Sequence, residues 1–318
     1  MLFYILSKGI YTIMEVEMGN DMGSDVLNKT EVNPSEAIEL SIRKKYHSQL
    51  FSKFAKAINK YELLKDGDKV AVCISGGKDS MLMAMLFNEL KRHNKISFET
   101  VNLVMDPGYS TPNRQLIEEN AKKMGLDITI FETDIFDSVY EVEDSPCYLC
   151  ARMRRGHLYS KASELGCNKI ALGHHFDDVI ETILMGMMYG GQFQTMMPKV
   201  HSSNFEGMEL IRPMYLIKEE DIVHWKNYNE LNFLACACHF TEKHTGINAD
   251  GSVDSKRQEM KNLIKELRKI NPFVDNNIFK SAENVNLQTV VRYKENGIEH
   301  WFKEWYDDPK SYIYWKEQ

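Results

Sequence analysis

The sequence lacks any apolar run that could form a membrane-spanning helix, which needs roughly 18 consecutive apolar residues. Residues 1–8 are apolar, but they have no basic leading region and no small-residue cleavage site, so we expect no signal peptide. Excess positive charge is also lacking. The 318 residues carry a net charge of −7, which excludes a generally basic nucleic-acid binder and leaves room only for a local basic patch. We therefore expect a cytoplasmic protein with no membrane partner.

Cysteine is scarce as well. Six cysteines are too few for a disulfide scaffold in a chain of 318 residues. Four of them cluster at 147–150 and 236–238, a pattern that indicates a reduced compartment with a metal or redox site. Cys73 lies in an apolar run and Cys167 follows a glycine at a strand start, so we expect both to be packed core thiols.

The middle of the chain alternates apolar strand patterns with amphipathic helix patterns. This alternation predicts an α/β fold with a doubly wound, mostly parallel sheet and helical N- and C-terminal additions. We expect a loose arm over 1–33, one long helix over 34–65, the core over 66–240, and an insertion with a helical tail over 241–318. Within the core, Asn232–Ala235 reads as a short strand that leads into the second cysteine pair.

A glycine turn joins the first core strand to its helix. The apolar run Val70–Ile74 ends in Ser75-Gly-Gly-Lys-Asp-Ser80, and a helical pattern begins at once. Adjacent glycines let backbone N–H groups approach a ligand, and the positive end of the helix favours an anion. The spacing fits neither G-x-x-x-x-G-K-[ST] nor G-x-G-x-x-G. We expect a phosphate cradle formed by Ser75, Gly76, Gly77, Lys78, Asp79 and Ser80.

A second turn, Gly173-His-His-Phe-Asp-Asp178, also follows a strand and opens a helix. Carboxylate oxygens there suit Mg²⁺ held against ATP phosphates, whereas the alternative for Asp177 is simple helix capping. Ligands of parallel sheets bind at the carboxyl ends of the strands. Both turns are therefore expected at one edge of the sheet.

The cysteine spacing leaves several interpretations open. Cys147 and Cys150 can bind one metal centre, with further sulfur from the 236–238 segment. Four sulfurs suit structural zinc, three suit an iron–sulfur cluster with one open iron, and a redox dithiol or inert buried thiols are the remaining options. The basic residues that follow are either a solvated helix face or contacts to nucleic-acid phosphates; they are Arg152, Arg154, Arg155 and Lys161.

Taken in order, these motifs resemble one family of the ATP pyrophosphatase (PP-loop) superfamily, the tRNA 2-thiocytidine synthetases. The resemblance runs from about residue 46 to 290. It rests on the following blocks: Ser75-Gly-Gly-Lys-Asp-Ser80, Cys147-x-x-Cys150-x-Arg-x-Arg-Arg-Gly156, Lys169-Ile-Ala-Leu-Gly-His-His-x-Asp-Asp178, Tyr189-Gly-Gly191 and Ile211-Arg-Pro213.

The resemblance implies an adenine nucleotide α-hydrolase-like fold and an ATP-dependent tRNA thiolase. Such an enzyme adenylates the C2 oxygen of a tRNA pyrimidine, here cytidine, and replaces it with sulfur. The implied cofactors are ATP, Mg²⁺ and a [4Fe–4S] cluster, and the implied partners are tRNA, a sulfur donor such as a cysteine desulfurase, and a second copy in a homodimer. The implied residues are Asp79, Asp177 and Asp178 for catalysis, Gly173 and His174 with the glycine turn for ATP, Cys147, Cys150 and Cys236 for the cluster, and Arg152, Arg154, Arg155 and Lys161 for tRNA.

The sequence departs from the family pattern at the third cysteine. The family has Pro-Cys-x-x-Cys there, whereas this chain has Ala235-Cys-Ala-Cys-His239, so Cys238 is the alternative to Cys236. Two other functions stay open. One is a PP-loop enzyme that acts on another small molecule or nucleotide and has structural zinc at the cysteines. The other is a non-catalytic nucleotide-binding zinc protein.

Overall fold

The computed structural model describes residues 2–7, 10–15, 33–135, 146–234 and 256–307. The chain divides into two compact units, one of Met1–Val179 with Met196–Gln258 and the other of Ile180–Thr195 with Glu259–Gln318. Among the described residues, every helix is too short or too polar to traverse a bilayer.

The elements of the first unit run in chain order up to two helices that continue into the second. They are β1 (Leu2–Ser7), β2 (Ile10–Glu15), α1 (Pro34–Arg43), a π-helical turn (His47–Phe51), α2 (Ser52–Lys60), β3 (Lys69–Ile74), α3 (Lys78–Arg92), β4 (Glu99–Asp106), α4 (Thr111–Lys123), β5 (Thr129–Glu132), α5 (Pro146–Glu164), β6 (Lys169–Ala171), α6 (Phe176–Gly190), β7 (Lys199–His201), β8 (Glu209–Ile211), α7 (Glu219–Tyr228) and α8 (Lys256–Ile270).

A six-stranded sheet forms the centre of the first unit, in the order β5-β4-β3-β6-β8-β7. Every neighbouring pair is parallel except β7 with β8. The predicted doubly wound, mostly parallel sheet is therefore confirmed. Strand order runs outward in opposite directions from β3 and β6, so these two strands flank the switch point where such sheets bind ligands.

Strand β3 is buried on both faces, which is why it reads as a continuous apolar run. Val70, Val72 and Ile74 pack into a large core with helices α1, α2, α3 and α7. Ala71 and Cys73 point the other way and pack with residues of helix α5 and strand β8. Side chains alternate across a strand, so one strand supports both layers and holds the turn at its carboxyl end in place.

The N-terminal region differs from its prediction in two respects. Strands β1 and β2 pair antiparallel within the expected loose arm. The expected single helix over 34–65 is broken between Arg43 and Ser52 by a π-helical turn. This break bends the chain so that Ile38 and Phe54, on either side of it, are both fully buried in the same core.

The predicted strand at Asn232–Ala235 is wrong over its described part. Residues 231–234 form no strand, because their backbone groups bond elsewhere. The Asn120 amide donates to the Asn232 carbonyl at 2.7 Å, and the Leu234 N–H donates to the Gly76 carbonyl at 3.3 Å. Ala235 lies outside the described residues.

The second unit contains more than the predicted helical tail. After helix α8 come α9 (Val274–Ser281), a 3₁₀ turn (Leu287–Thr289), strands β9 (Arg292–Glu295) and β10 (Ile298–Trp301), and α10 (Lys303–Tyr306). The two strands pair antiparallel across a turn at Asn296 and Gly297, both with positive φ.

A buried polar junction joins helices α1 and α7. The Ser41 hydroxyl accepts hydrogen bonds from the Trp225 indole N–H and the Asn229 amide, both at 3.1 Å, and donates to the Ile38 carbonyl at 2.6 Å. Replacing Ser41 with Ala leaves the buried indole N–H without this acceptor, so we expect the free energy of unfolding to fall by about 2 kcal/mol in urea denaturation. The exposed Ser163 is the matched control, with S163A expected to change it by less than about 0.5 kcal/mol. An equal effect of both substitutions would contradict the junction.

Candidate nucleotide site at the switch point

The first turn is shaped by contacts that only glycine permits. Gly76 has φ +81°, and a Cβ added there would lie 2.7 Å from Cγ1 of Ile117. The Ser75 N–H donates to the Ser80 hydroxyl at 3.1 Å, and that hydroxyl donates to the Gly77 carbonyl at 3.0 Å. These bonds curl the backbone over the first turn of helix α3, which creates the predicted anion cradle.

Carboxylates neutralise the lysine of this turn. The Lys78 ammonium lies 3.2 Å from the Asp79 carboxylate and 3.1 Å from the Glu219 carboxylate. Burial opposes its positive charge, but Asp79 and Glu219 outweigh burial and raise the pKa of Lys78. Asp177 in turn accepts the N–H of Glu219 at 2.7 Å and so caps the start of helix α7. Capping, the alternative weighed for Asp177, is therefore present, but at a neighbouring helix.

The second turn lies directly against the first. A Cβ added at Gly173 would come within 3.1 Å of the Ser80 backbone nitrogen and 3.2 Å of the Asp79 carbonyl carbon. His175 is buried, with its Nε2 3.9 Å from Oδ1 of Asp79. Residues almost 100 positions apart thus meet as the sequence predicts.

Asp178 is oriented from two sides. Its Oδ2 accepts the His175 N–H at 2.9 Å, and its Oδ1 pairs with a guanidinium nitrogen of Arg257 at 2.5 Å. Burial alone would raise the pKa of Asp178, but His175 and Arg257 outweigh it and hold that pKa below its usual value. Asp178 is therefore an anion at neutral pH.

The two turns open into a cavity of about 590 Å³. Eight of the predicted site residues line it: Ser75, Asp79, Ser80, Arg154, Arg155, Gly173, His174 and Asp178. Its other lining residues are Cys73, Ile74, Met105, Leu158, Leu172, Met196, Leu210 and Arg212. The cavity thus joins the two turns of the sheet edge to one side of helix α5.

Several predicted residues do not line the cavity. Gly76, Gly77 and Lys78 form the turn behind Ser75 and Asp79, and Asp177 is buried at helix α7. Arg152 is exposed on helix α5. Lys161, two turns further on, pairs with Glu164 at 2.8 Å. Of the four predicted tRNA contacts, only Arg154 and Arg155 reach the cavity.

Three residues of the site were missed in the sequence, namely Arg212, Glu219 and Arg257. Arg212 belongs to the Ile211-Arg-Pro213 block, so the motif itself was a signal although no role followed from it. Glu219 and Arg257 lie in no quoted motif. Only the fold brings them to the two turns.

The predicted sulfur ligands are described only in part. Positions 147 and 150 fall in the first turn of helix α5, and Cys236 and Cys238 lie outside the described residues. Cys73 and Cys167 are free and buried, as predicted for core thiols. Burial, with a smaller effect of Cys167, raises the pKa of the Cys73 thiol to about 12, so it stays protonated although it lines the cavity.

The cavity fits a nucleotide with Mg²⁺ on one specific observation. Oδ1 of Asp79 is buried and has no hydrogen-bond partner, although it faces the glycine turn. In the described ranges no group of three or more His, Cys, Asp or Glu side chains could hold a metal ion. Mg²⁺ is commonly bound by one or two carboxylates together with substrate phosphates, so Asp79 and Asp178 beside a phosphate cradle are a suitable donor set.

A family model described as a PP-loop domain matches residues 46–239. The chain belongs to the PP-loop family. The match begins within the π-helical region and extends past both turns to the second cysteine pair, so it includes the whole sheet.

Curated relatives extend this similarity beyond the domain. A tRNA-cytidine(32) 2-sulfurtransferase from Geotalea uraniireducens is 34% identical over 248 residues, which cover 77% of this chain and 94% of the relative. The protein of the same name from Geobacter sulfurreducens is 34% identical over 233 residues, covering 72% of this chain and 87% of the relative. The resemblance found from the motifs is confirmed.

Among solved structures, the U34-tRNA thiolase NcsA from Methanococcus maripaludis, determined with its [4Fe-4S] cluster, is similar in fold. Its TM-score is 0.56 at 23% identity, covering 73% of this chain and 76% of that chain. At this identity the likeness concerns the fold, and it agrees with the PP-loop assignment.

Replacing Gly173 with Ala tests the contact between the two turns. The new methyl group must displace backbone of helix α3 rather than a flexible side chain, so we expect ATP affinity to fall at least tenfold and the free energy of unfolding by about 1–3 kcal/mol. Calorimetric ATP titration and urea denaturation measure the two effects. Gly156 of helix α5 has open space around it, so G156A is the control and should be neutral or slightly stabilising. Wild-type ATP binding by G173A would refute the contact.

The buried His174 should make stability depend on pH. Burial, with help from Arg212 and Arg257 and opposed by Asp178, lowers the pKa of His174 from its usual 6.5 to about 4. Between these values the unfolded chain binds a proton that the folded chain does not, so stability falls as pH drops from 6.5 to 4, by up to about 3 kcal/mol. Above 6.5 the effect is absent. Urea denaturation from pH 4 to 8 should show a shallower slope for H174Q than for wild type, and identical slopes would contradict the assignment.

Proposed function

We propose that this protein is an ATP-dependent tRNA thiolase that replaces the C2 oxygen of a tRNA cytidine with sulfur. Its relatives, similar over most of both chains, are named tRNA-cytidine(32) 2-sulfurtransferases. The family domain contains the phosphate cradle that an ATP-using member of this group needs.

One structural observation supports the proposal above all. Helix α5 carries the C-x-x-C positions in its first turn, and one turn later its Arg154 and Leu158 line the same cavity as Ser75 and Asp79. The element that begins with the sulfur ligands therefore forms a wall of the nucleotide cavity. A zinc site that served stability alone would not require this placement.

The glycine turn performs the activation step. Its N–H groups and the start of helix α3 hold the terminal phosphates of ATP, and Lys78 adds a positive charge. Mg²⁺, held by Asp79 and Asp178, would neutralise phosphate charge there. The C2 oxygen of cytidine attacks the α-phosphorus; an oxygen–phosphorus bond forms as the bond to pyrophosphate breaks, leaving an adenylated base.

Sulfur then displaces AMP. A carbon–sulfur bond forms at C2, the carbon–oxygen bond breaks, and AMP leaves with the oxygen. A [4Fe–4S] cluster held by Cys147, Cys150 and Cys236 would supply an open iron for the sulfur. The cysteine spacing fits three ligands, and a donor such as a cysteine desulfurase provides the sulfur.

Basic residues on helix α5 hold the RNA near both halves of the site. Arg154 and Arg155 meet the part of the tRNA that enters the cavity, while Arg152 and Lys161 face the backbone outside it. Because the whole chain is acidic, binding is confined to this face. The protein acts in the cytoplasm, as a homodimer.

The proposal is tested in a strain that lacks its own 2-thiocytidine enzyme. Expression of this chain should restore 2-thiocytidine in tRNA hydrolysates measured by mass spectrometry, whereas the D79N and C147S variants should reduce it at least a hundredfold. Anaerobically purified wild type should contain about four irons per chain and absorb near 400 nm. For C147S the iron is lost, but tRNA-independent ATP binding should remain.

Separate replacement of Cys236 and Cys238 by Ala identifies the third ligand. We expect C236A to lose iron and thiolation and C238A to keep both. Stoichiometric zinc without iron in wild type would refute the cluster, and unchanged tRNA nucleosides in the complemented strain would refute the cytidine substrate.

A further inference from the structure

Arg212 differs from the other cations around the nucleotide site. It lines the cavity, its Nε is buried, and that Nε meets no acceptor. One terminal nitrogen donates to the Met197 carbonyl. Within the part of the chain that the structure describes, no carboxylate lies within ion-pair distance of its guanidinium.

Neighbouring cations are neutralised by acids of the protein itself. Lys78 pairs with Asp79 and Glu219, and Arg257 pairs with Asp178. The remote Lys169, which is also buried, has a carboxylate partner in Glu209. Arg212 is thus a partly buried charge whose electrostatic partner is not supplied by the described protein.

Leaving a cation in such a place is costly. Burial lowers the pKa of Arg212, an effect that Tyr215 and Tyr159 oppose, yet a guanidinium stays protonated in proteins. A buried charge without a partner destabilises a fold by several kcal/mol, so a charge of this kind is retained where a ligand completes it. The ligand must be an anion that enters the cavity.

The backbone around Arg212 holds it in place for that purpose. Its N–H donates to the Pro198 carbonyl at 2.9 Å, and its carbonyl accepts from the Tyr215 N–H at 3.2 Å. It directly follows strand β8, which pairs with β6, the strand that leads to Gly173. The guanidinium is therefore carried by the same sheet edge as the phosphate cradle.

We propose that Arg212 is a phosphate-binding residue that holds the α-phosphate of ATP and then the phosphate of the adenylated intermediate. Its unpaired Nε and planar guanidinium suit a phosphate oxygen pair. The terminal phosphates occupy the glycine turn, so the α-phosphate is the one that extends from the turn into the cavity. This assignment rests on the proposed function, in which AMP is transferred, and adds the residue that recognises the transferred group.

Calorimetric titration of the full-length protein with AMP and, separately, with pyrophosphate tests the assignment. Replacing Arg212 with Gln should weaken AMP binding about 10- to 100-fold, the equivalent of a charge-assisted hydrogen bond, and leave pyrophosphate binding at the glycine turn unchanged. R212K restores the charge without the planar pair of donors and should lie between wild type and R212Q.

The matched control is R92Q, because Arg92 is more than half exposed and lies at the far end of helix α3. It should bind both ligands as wild type does. Both titrations are made without tRNA and do not require the cluster, so a protein inactive in thiolation can still pass or fail this test.

Three results would overturn the assignment. The first is wild-type affinity of R212Q for AMP. The second is an equal loss of AMP and pyrophosphate binding, which would indicate collapse of the turn. The third is weaker tRNA binding in a filter assay with AMP binding unchanged, which would assign the guanidinium to an RNA phosphate instead. Thermal unfolding of R212Q and R212K establishes that both variants are folded.

Discussion

The site depends on one close approach between two pieces of backbone. Gly173 meets the first turn of helix α3 at a distance that a side chain could not share, with Ser80 N 3.1 Å from the position of a Cβ. Parallel neighbours β3 and β6 bring their carboxyl ends together, and the missing side chain lets the two turns touch. Asp79 and Asp178 can then act on one ligand, although one comes from each turn. Without this contact the sheet would still form, but its edge would hold two separate loops.

The charges around the cavity are divided according to this geometry. On the side of the turns, cations and acids balance each other: Lys78 has two carboxylates, and Asp178 has Arg257. Toward helix α5 and strand β8 the described side chains in the lining are arginines without equivalent acids. A nucleotide bound between these sides would place its metal-bound phosphates at the acids and present its remaining negative charge to the arginines. Such an arrangement favours transfer of a phosphate-bearing group over simple storage of a nucleotide.

Local patterns predicted what local physics decides. The Val70–Ile74 run, the adjacent glycines and the helical period after them predicted strand, turn and helix, because burial on both faces and positive φ leave clear marks in a sequence. The kink between Arg43 and Ser52 left no such mark, since it contains neither proline nor glycine and follows from packing two helices onto one core. Arg212 and Glu219 were missed for the same reason. Their importance arises from neighbours more than 50 and more than 140 positions away, and a single sequence contains no distances of that kind.

The second cysteine pair is linked to the nucleotide site through both of its chain ends. Before it, Leu234 donates its N–H to the carbonyl of Gly76, and Cys236 follows two residues later in the sequence. After it, Arg257 pairs with Asp178. The segment that carries the third sulfur ligand therefore leaves from the first turn and returns to the second. A shift of either turn on nucleotide binding would act on this segment through a backbone hydrogen bond at one end and an ion pair at the other. Activation and sulfur transfer are thus connected by short covalent paths within one unit of the fold, which explains how two chemically different steps can share a single cavity.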